Sequence, residues 1–125
     1  MSFGNVVLES LNLSNSKLDT ALFINTTIQG DLRASETRVK SGVLFFNSRI
    51  GGYVDFLTLS TPFLVFDETE FDDPESQEEA CRKAKIILEE MGDRELSDEY
   101  FYREMDAKRR QKGTLTKYLE LIAVQ

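Results

Sequence analysis

The stretch that decides the fold is residues 11–30, which read LNLSN, SKLDT, ALFIN and TTIQG in blocks of five. The third position of every block is apolar, and these positions are Leu13, Leu18, Phe23 and Ile28. The first position is never charged, and it holds Leu11, Ser16, Ala21 and Thr26. Residues two apart on an extended chain point to the same side. Each block therefore predicts one short strand that directs two side chains into a common interior.

The same pattern continues on both sides of this stretch. An apolar residue recurs at steps of five or six, and the ten positions are Leu8, Leu13, Leu18, Phe23, Ile28, Ala34, Val39, Phe45, Ile50 and Phe56. Such regular steps predict a solenoid in which four faces complete one coil. We expect about three coils, with Leu8, Ile28 and Ile50 stacked on one another. An ordinary sandwich or barrel of short strands is the alternative for this region.

Polar residues within the repeat have two expected roles. Four inward positions carry hydroxyl groups, which we expect to bond to backbone carbonyls or to one another, and they are Ser16, Thr26, Thr37 and Ser48. The glycines fall near corners, where we expect positive φ angles, and they are Gly30, Gly42, Gly51 and Gly52.

Composition changes at Pro74 and divides the chain into three parts. Residues 1–73 carry 10 acidic and 5 basic side chains, whereas the following part is dense in helix-forming residues. We predict a β-solenoid over 1–73, a helical hairpin over 74–113 and a short amphipathic tail over 114–125. An apolar segment between Phe63 and Phe71 is too irregular for another coil, and we expect it to close the core of the last one.

Capping signals place the two helices of the hairpin. Asp73 is expected to cap the first helix with Pro74 at its first position, Gly92 ends that helix, and Asp93 caps a second helix that runs to about Lys112. The expected apolar face of the first helix is Ala80, Ala84, Ile87, Leu88 and Met91. That of the second is Leu96, Tyr100, Phe101, Met105 and Ala107. The tail carries its own stripe, which is Leu115, Tyr118, Leu119 and Ile122.

The composition removes several chemistries. The chain has no histidine and one cysteine, Cys81, so it lacks a Ser-His or Cys-His pair, a thiolate zinc site and an internal disulfide. We expect no catalytic residue, no cofactor and no metal, and we interpret Cys81 as a packing residue. The net charge of -7 argues against direct nucleic-acid binding. Because the chain shows neither a targeting segment nor an apolar run of 18 residues, we expect a soluble polypeptide, and its single cysteine fits a reducing, cytoplasmic compartment.

The blocks in residues 11–30 resemble pentapeptide repeats, although the six-residue steps depart from a strict pentad. The resemblance covers about residues 4–61. It implies a right-handed, four-sided parallel β-helix. The expected fold class is therefore mainly β with C-terminal α, in which a helical hairpin caps the β-helix. Some members of that family are acidic DNA mimics that occupy a DNA-binding enzyme such as a topoisomerase. The resemblance makes such mimicry the alternative function.

A second resemblance concerns residues 89–110, which read EEMGDRELSDEYFYREMDAKRR. This segment is similar to a helical hairpin in prokaryotic proteins that join pentapeptide repeats to a membrane ion-channel pore. The likeness implies a non-enzymatic scaffold, the cytosolic assembly or regulatory domain of a membrane ion channel. Such a domain lies at the inner face of the membrane as part of a longer protein.

A basic cluster near the end of the hairpin fits that expectation. Its members, expected to face a membrane or a partner, are Arg103, Lys108, Arg109, Arg110 and Lys112. We expect a protein partner or self-association. A filament of stacked solenoids is a further possibility, which the capping hairpin argues against.

Overall fold

The computed structural model describes the backbone of residues 1–123 and the side chains of residues 1–112. It is a parallel β-solenoid followed by two helices. The strands are β1 (Ser2–Gly4), β2 (Val7–Leu8), β3 (Leu11–Asn12), β4 (Lys17–Ile24), β5 (Thr27–Ile28), β6 (Leu32–Arg33), β7 (Arg38–Phe46), β8 (Arg49–Ile50), β9 (Val54–Asp55), β10 (Leu64–Asp67) and β11 (Glu70–Phe71). The helices are α1 (Pro74–Met91) and α2 (Arg94–Ala123).

The strands stack into the faces of the solenoid. Face 1 is the sheet β1-β4-β7-β10, face 2 is β2-β5-β8-β11 and face 3 is β3-β6-β9. All of these strand pairs are parallel. Face 4 is formed by the first residues of β4 and β7, where Lys17 pairs with Arg38 and Arg38 bridges to Ser60. The prediction of a mainly β solenoid of about three coils with C-terminal α is confirmed.

The predicted stacking of inward side chains is also confirmed. Leu8 pairs in register with Ile28, and Ile28 with Ile50. Leu18 pairs with Val39 in the same way. Another column is aromatic, with ring centroids 5.4 Å apart for Phe3 and Phe23, 4.3 Å for Phe23 and Phe45, and 5.3 Å for Phe45 and Phe66. Seven of the ten predicted core residues are buried, while the three in the first coil are half-buried, namely Leu8, Leu13 and Leu18.

Three of the four inward hydroxyl groups singled out by the sequence, all but that of Ser16, bond to backbone carbonyls as predicted. Thr26 Oγ1 donates to the carbonyl of Ile24 at 3.1 Å. Thr37 Oγ1 donates to that of Leu13 at 2.7 Å, and Ser48 Oγ to that of Phe46 at 3.0 Å. These bonds supply partners for polar groups that would otherwise be buried unsatisfied.

The corners correct the expectation for glycine. In the described backbone, the residues with positive φ inside the solenoid are Asn5, Asn15, Asn25, Glu36, Asn47 and Glu68. Asparagine tolerates this conformation, and three of these side chains also form a ladder. Asn25 Nδ2 donates to Asn5 Oδ1 at 3.1 Å, and Asn47 Nδ2 donates to Asn25 Oδ1 at 2.7 Å.

The glycines are required for a different reason, which is close approach between coils. A Cβ atom on Gly51 would lie 2.3 Å from the carbonyl oxygen of Gln29, and one on Gly30 would lie 2.8 Å from that of Glu9. The sequence pattern places these glycines correctly near corners, but backbone contact rather than φ excludes a side chain there.

The segment from Phe63 to Phe71 is the second correction. It continues the solenoid, because β10 pairs in parallel with β7 and β11 with β8. The polar Thr61, next to Pro62, occupies the repeat position that Leu18 and Val39 occupy in earlier coils. Because this position is apolar in those coils, the sequence pattern does not predict the continuation.

The helix boundaries agree with the capping signals at three of four ends. Helix α1 begins at Pro74 after Asp73 and ends at Met91, with Gly92 as its C-cap at φ 85°. Helix α2 begins after Asp93, whose carboxylate accepts the N–H of Leu96 at 3.2 Å. The predicted end near Lys112 is wrong, because α2 continues through Gly113 to Ala123. One glycine costs only about 1 kcal/mol inside a helix and does not by itself end it.

The predicted apolar faces hold in part. Ala80, Ala84 and Leu88 are buried on α1, whereas Met91 is exposed. On α2, Tyr100 and Ala107 are buried, whereas Phe101 is 42% exposed because it points about 100° away from Tyr100. The stripe predicted on the tail lies outside the described side chains. Within the described residues, neither helix combines the length and the hydrophobicity needed to cross a membrane.

Candidate functional site

Side chains from the hairpin bond directly to the backbone at the last coil of the solenoid. Ser76 Oγ accepts the N–H of Val54 at 3.0 Å and donates to Asp73 at 2.7 Å. The Tyr100 hydroxyl accepts the N–H of Phe66. Burial raises the pKa of Tyr100 to about 12, so the hydroxyl stays neutral at physiological pH. These contacts satisfy donors at strand edges that another coil would otherwise have to pair.

Cations satisfy carbonyl groups at the same place. Arg103 donates to the carbonyl oxygens of Phe66 at 2.6 Å and Thr69 at 2.8 Å, and its guanidinium lies 5.1 Å from the centroid of the Tyr100 ring. Lys83 Nζ donates to the carbonyl of Phe56 at 2.5 Å, and partial burial lowers its pKa. We call this C-terminal end of the solenoid, covered by α1 and α2, the sealed end.

A buried carboxylate joins the two helices. Glu104 is 2% exposed and lies 3.1 Å from Arg82, 2.9 Å from Lys85 and 3.4 Å from Lys108. Burial acts to raise its pKa, but the hydrogen bonds from Lys85 and Arg82 outweigh burial, so the pKa is lowered. Glu104 is therefore charged at neutral pH and fixes α2 against α1.

An apolar groove lies where the solenoid meets the hairpin. It has a volume of about 380 Å³, and we call it the junction groove; its apolar lining is Val54, Phe56, Leu57, Ala80, Ile86 and Ile87. Its charged rim is Glu79, Arg82, Lys83 and Glu90. Leu57 is 86% exposed and Ile86 is 47% exposed. An apolar centre with a charged rim is the arrangement found in protein–protein interfaces.

The basic residues singled out by sequence do not form one surface. Arg103 is engaged at the sealed end, as described above. Lys108 pairs with Glu104, and Arg110 lies 3.9 Å from Asp106 while also donating to Gln77. The exposed members on α2 are Lys108, Arg109, Arg110 and Lys112. Arg103 therefore differs from the other four residues, because it bonds to the solenoid at the sealed end.

Face 4 carries a second group of cations on the solenoid itself. Lys17 and Arg38 are direct neighbours on adjacent strands, and Lys40 follows on the same concave surface. They interrupt the acidic surface, whereas Arg33 and Arg49 are paired with Asp31 and Asp72 at 3.2 and 3.0 Å. Among the described side chains, no group of three or more acidic or cysteine residues is placed to hold a metal ion.

Cys81, on α1, is fully buried. Burial raises the pKa of its thiol to about 11, so the nucleophilic thiolate is suppressed at neutral pH. Its placement agrees with the packing role expected from the sequence.

The junction groove is the surface that sequence reasoning missed. The one available signal was Leu57, an apolar residue directly after the inward Phe56, at a place where outward residues are usually polar. Comparison of the chain with protein-family models, with curated proteins and with solved structures found no match. The geometry described above is therefore the basis on which a function is proposed.

Proposed function

We propose that the protein is a non-enzymatic scaffold module that binds a protein partner through the junction groove. The observation that carries this proposal is the exposure of Leu57, from the solenoid, and Ile86, from α1, in the lining of one groove. Lys83 fixes the position of Leu57, because its ammonium group also donates to the carbonyl of Leu57 at 3.1 Å. A preorganised apolar surface of this kind loses little conformational entropy on binding.

We further propose that the partner belongs to a membrane ion channel, for which this module is the cytosolic assembly or regulatory domain. The resemblance of residues 89–110 supports this, and so does the geometry of α2. Gln111 lies beside Pro74, the first residue of α1, so α2 continues past the hairpin toward Ala123. A continuous helix of 30 residues is about 45 Å long and can transmit a movement between the solenoid and what α2 contacts.

The partner-binding proposal is tested by photo-crosslinking in cells. A photoreactive amino acid is placed at Ile86 in the junction groove and, as a matched control, at Gln29, an exposed residue of face 2. We expect one discrete crosslinked species from position 86 and none from position 29. Equal and diffuse labelling from both positions would contradict the proposal.

The channel version has a separate test in the coding sequence after Gln125. We expect an in-frame apolar segment of about 20 residues, which is the length that spans a bilayer. A stop codon directly after Gln125 would contradict the channel version while leaving the crosslinking test of the groove unaffected.

The cations of face 4 argue against the DNA-mimic alternative. A DNA mimic needs a continuous negative surface, whereas Lys17, Arg38 and Lys40 outnumber the single acidic residue, Asp19, on the concave surface of face 4. Titration of topoisomerase activity with the protein checks this, and we expect no inhibition at micromolar excess.

A further inference from the structure

The two ends of the solenoid differ in how completely they are covered. At the sealed end, the last stacked core residues, such as Ile50 and Phe66, are fully buried. In coil 1 (residues 1–19), the corresponding inward side chains are only half-buried, and these are Phe3, Val6, Leu8, Leu11, Leu13 and Leu18. We call this N-terminal end the open end. It presents the apolar interior of the solenoid to its surroundings.

The open end also presents unpaired strand edges. Strands β1, β2 and β3 are the outermost strands of their sheets and pair on one side only. The N–H groups of Leu11 and Leu13 point toward coil 2, where they bond to Asp31 and Arg33 at 3.0 and 2.7 Å. Because N–H and C=O directions alternate along a strand, those of the intervening Asn12 point away from coil 2. The backbone N–H and C=O of Val7 also point away from coil 2, because the carbonyls of its neighbours Val6 and Leu8 accept bonds from coil 2.

Among the described side chains, those that bond such edges from outside the solenoid lie at the sealed end. At the sealed end, Ser76, Lys83, Tyr100 and Arg103 each bond a backbone group of the last coil. In the described part of the chain, no element lies over coil 1 on its outer side. An uncovered apolar end with unpaired edges on three faces favours association.

We propose that the open end binds the open end of a second copy of this chain, so that two solenoids join end to end in a closed dimer. The open end of a second copy matches this surface in shape, in its apolar centre and in its strand edges on three faces. A single strand from another protein would pair with only one of these edges. Coil 1 carries few charges, namely Glu9, Lys17 and Asp19, so repulsion between copies is small.

The sealed end determines that such an assembly stops at two copies. Head-to-tail stacking would require an open end at both termini of the solenoid, and α1 and α2 cover one of them. A contact between two identical open ends is isologous and closes on itself. The inference concerns a surface separate from the junction groove and goes beyond the proposed function.

The size of the open end sets the expected strength of the dimer. A face of about five residues is roughly 16 Å wide at 3.3 Å per residue. Two such square ends with their outward side chains bury on the order of 1,000 Å², near the lower limit for a specific interface. We therefore expect a dissociation constant in the micromolar range.

Sedimentation velocity of the full chain tests the proposal over about 1 to 500 μM, a range that brackets a micromolar dissociation constant. We expect a concentration-dependent change from monomer to dimer with no larger species. A monomer at every concentration, or growth beyond the dimer, would overturn the proposal.

Two variants at the open end and one control locate the contact. Leu8→Lys places a charge at the apolar end, and Val7→Pro removes an outward N–H from the edge of β2. Each should weaken dimerisation at least about tenfold, which corresponds to the loss of one edge or apolar contact. Leu57→Lys, in the junction groove, should leave the dissociation constant unchanged.

Circular dichroism and thermal unfolding show whether each variant folds. If Leu8→Lys does not fold, Val7→Pro alone tests the contact. Val7 is exposed, so its replacement leaves the core intact. Dimerisation that survives both folded open-end variants, or that is lost in Leu57→Lys, would overturn the proposal.

Discussion

Asparagine and glycine have separate roles at the corners of the solenoid. Asn5, Asn25 and Asn47 adopt positive φ and form a ladder in which Asn47 donates to Asn25 and Asn25 donates to Asn5. Gly30 and Gly51 instead lie where the backbone of one coil approaches that of the next. The two residue types are therefore not interchangeable, although both are common in turns.

The role assigned to glycine predicts the effect of Gly51→Ala. The new methyl group would lie 2.3 Å from the carbonyl oxygen of Gln29, so the coils must move apart. We expect the free energy of unfolding to fall by about 1–3 kcal/mol, the usual cost of overpacking. Denaturant unfolding measures this. Gly4→Ala is the control, because nothing lies within 4 Å of its added Cβ, and an equal loss in both variants would contradict the assignment.

The buried Glu104 predicts a pH dependence. Its lowered pKa means that its contribution to stability is complete above the ordinary glutamate range and is lost as the pH falls through the folded-state pKa. Glu104→Gln should therefore reduce the free energy of unfolding at pH 7 by about 1–3 kcal/mol, the value of hydrogen bonds to a charged group. The difference from the unmodified protein should shrink as the pH falls through the lowered folded-state pKa, because the carboxyl then becomes protonated.

Denaturant unfolding at pH 7 and at about pH 2.5, well below the ordinary glutamate pKa of about 4.3, measures this difference. The matched control is Glu99→Gln, on the same helix but exposed, which should change stability little at either pH. A difference for Glu104→Gln that is equal at both pH values would show that the charge of Glu104 is not what joins the helices.

At the scale of elements, the hairpin is a cap as well as a pair of helices. Helix α1 brings Ser76 and Lys83 to the last coil, and α2 brings Tyr100 and Arg103. These residues hold groups that a further strand would otherwise have paired. The hairpin therefore stabilises β10, and this packing against the solenoid in turn stabilises the helices beyond their intrinsic helix propensity.

The capping role of α2 predicts the effect of Arg103→Met. Methionine retains much of the apolar stem but leaves the carbonyls of Phe66 and Thr69 without their donor, so we expect a loss of about 2 kcal/mol. Arg109→Met, at an exposed position, should change stability by less than about 0.5 kcal/mol. Chemical denaturation compares the two. Equal losses of stability in the two variants would contradict the capping role of Arg103.

The elements differ in how far the sequence determines them. Register is predictable because an inward position accepts only apolar or small residues, which is why Leu18 and Val39 are correctly stacked. Strands β10 and β11 are not predictable from the same pattern, because a polar residue at Thr61 interrupts it where the solenoid surface is locally exposed. The capping role of Arg103 depends on three-dimensional proximity to Phe66, 37 residues earlier, and has no local signal.

At the scale of the whole molecule, the solenoid has two unlike ends. One end is sealed by the hairpin and borders the junction groove, and the other exposes the interior of coil 1. We propose that the groove binds a protein partner and that the open end joins a second copy. A scaffold of this form would hold two partner sites at opposite ends of one closed dimer.

The central claim, that one end is sealed and the other open, is tested most directly by amide hydrogen exchange in dilute protein, below the dimer dissociation constant. The N–H groups of Val54 and Phe66 are bonded by Ser76 and Tyr100, whereas those of Val7 and Asn12 point out of the open end. We predict that the first pair exchanges at least about 100-fold more slowly than the second. Rates within about tenfold of each other would contradict the account.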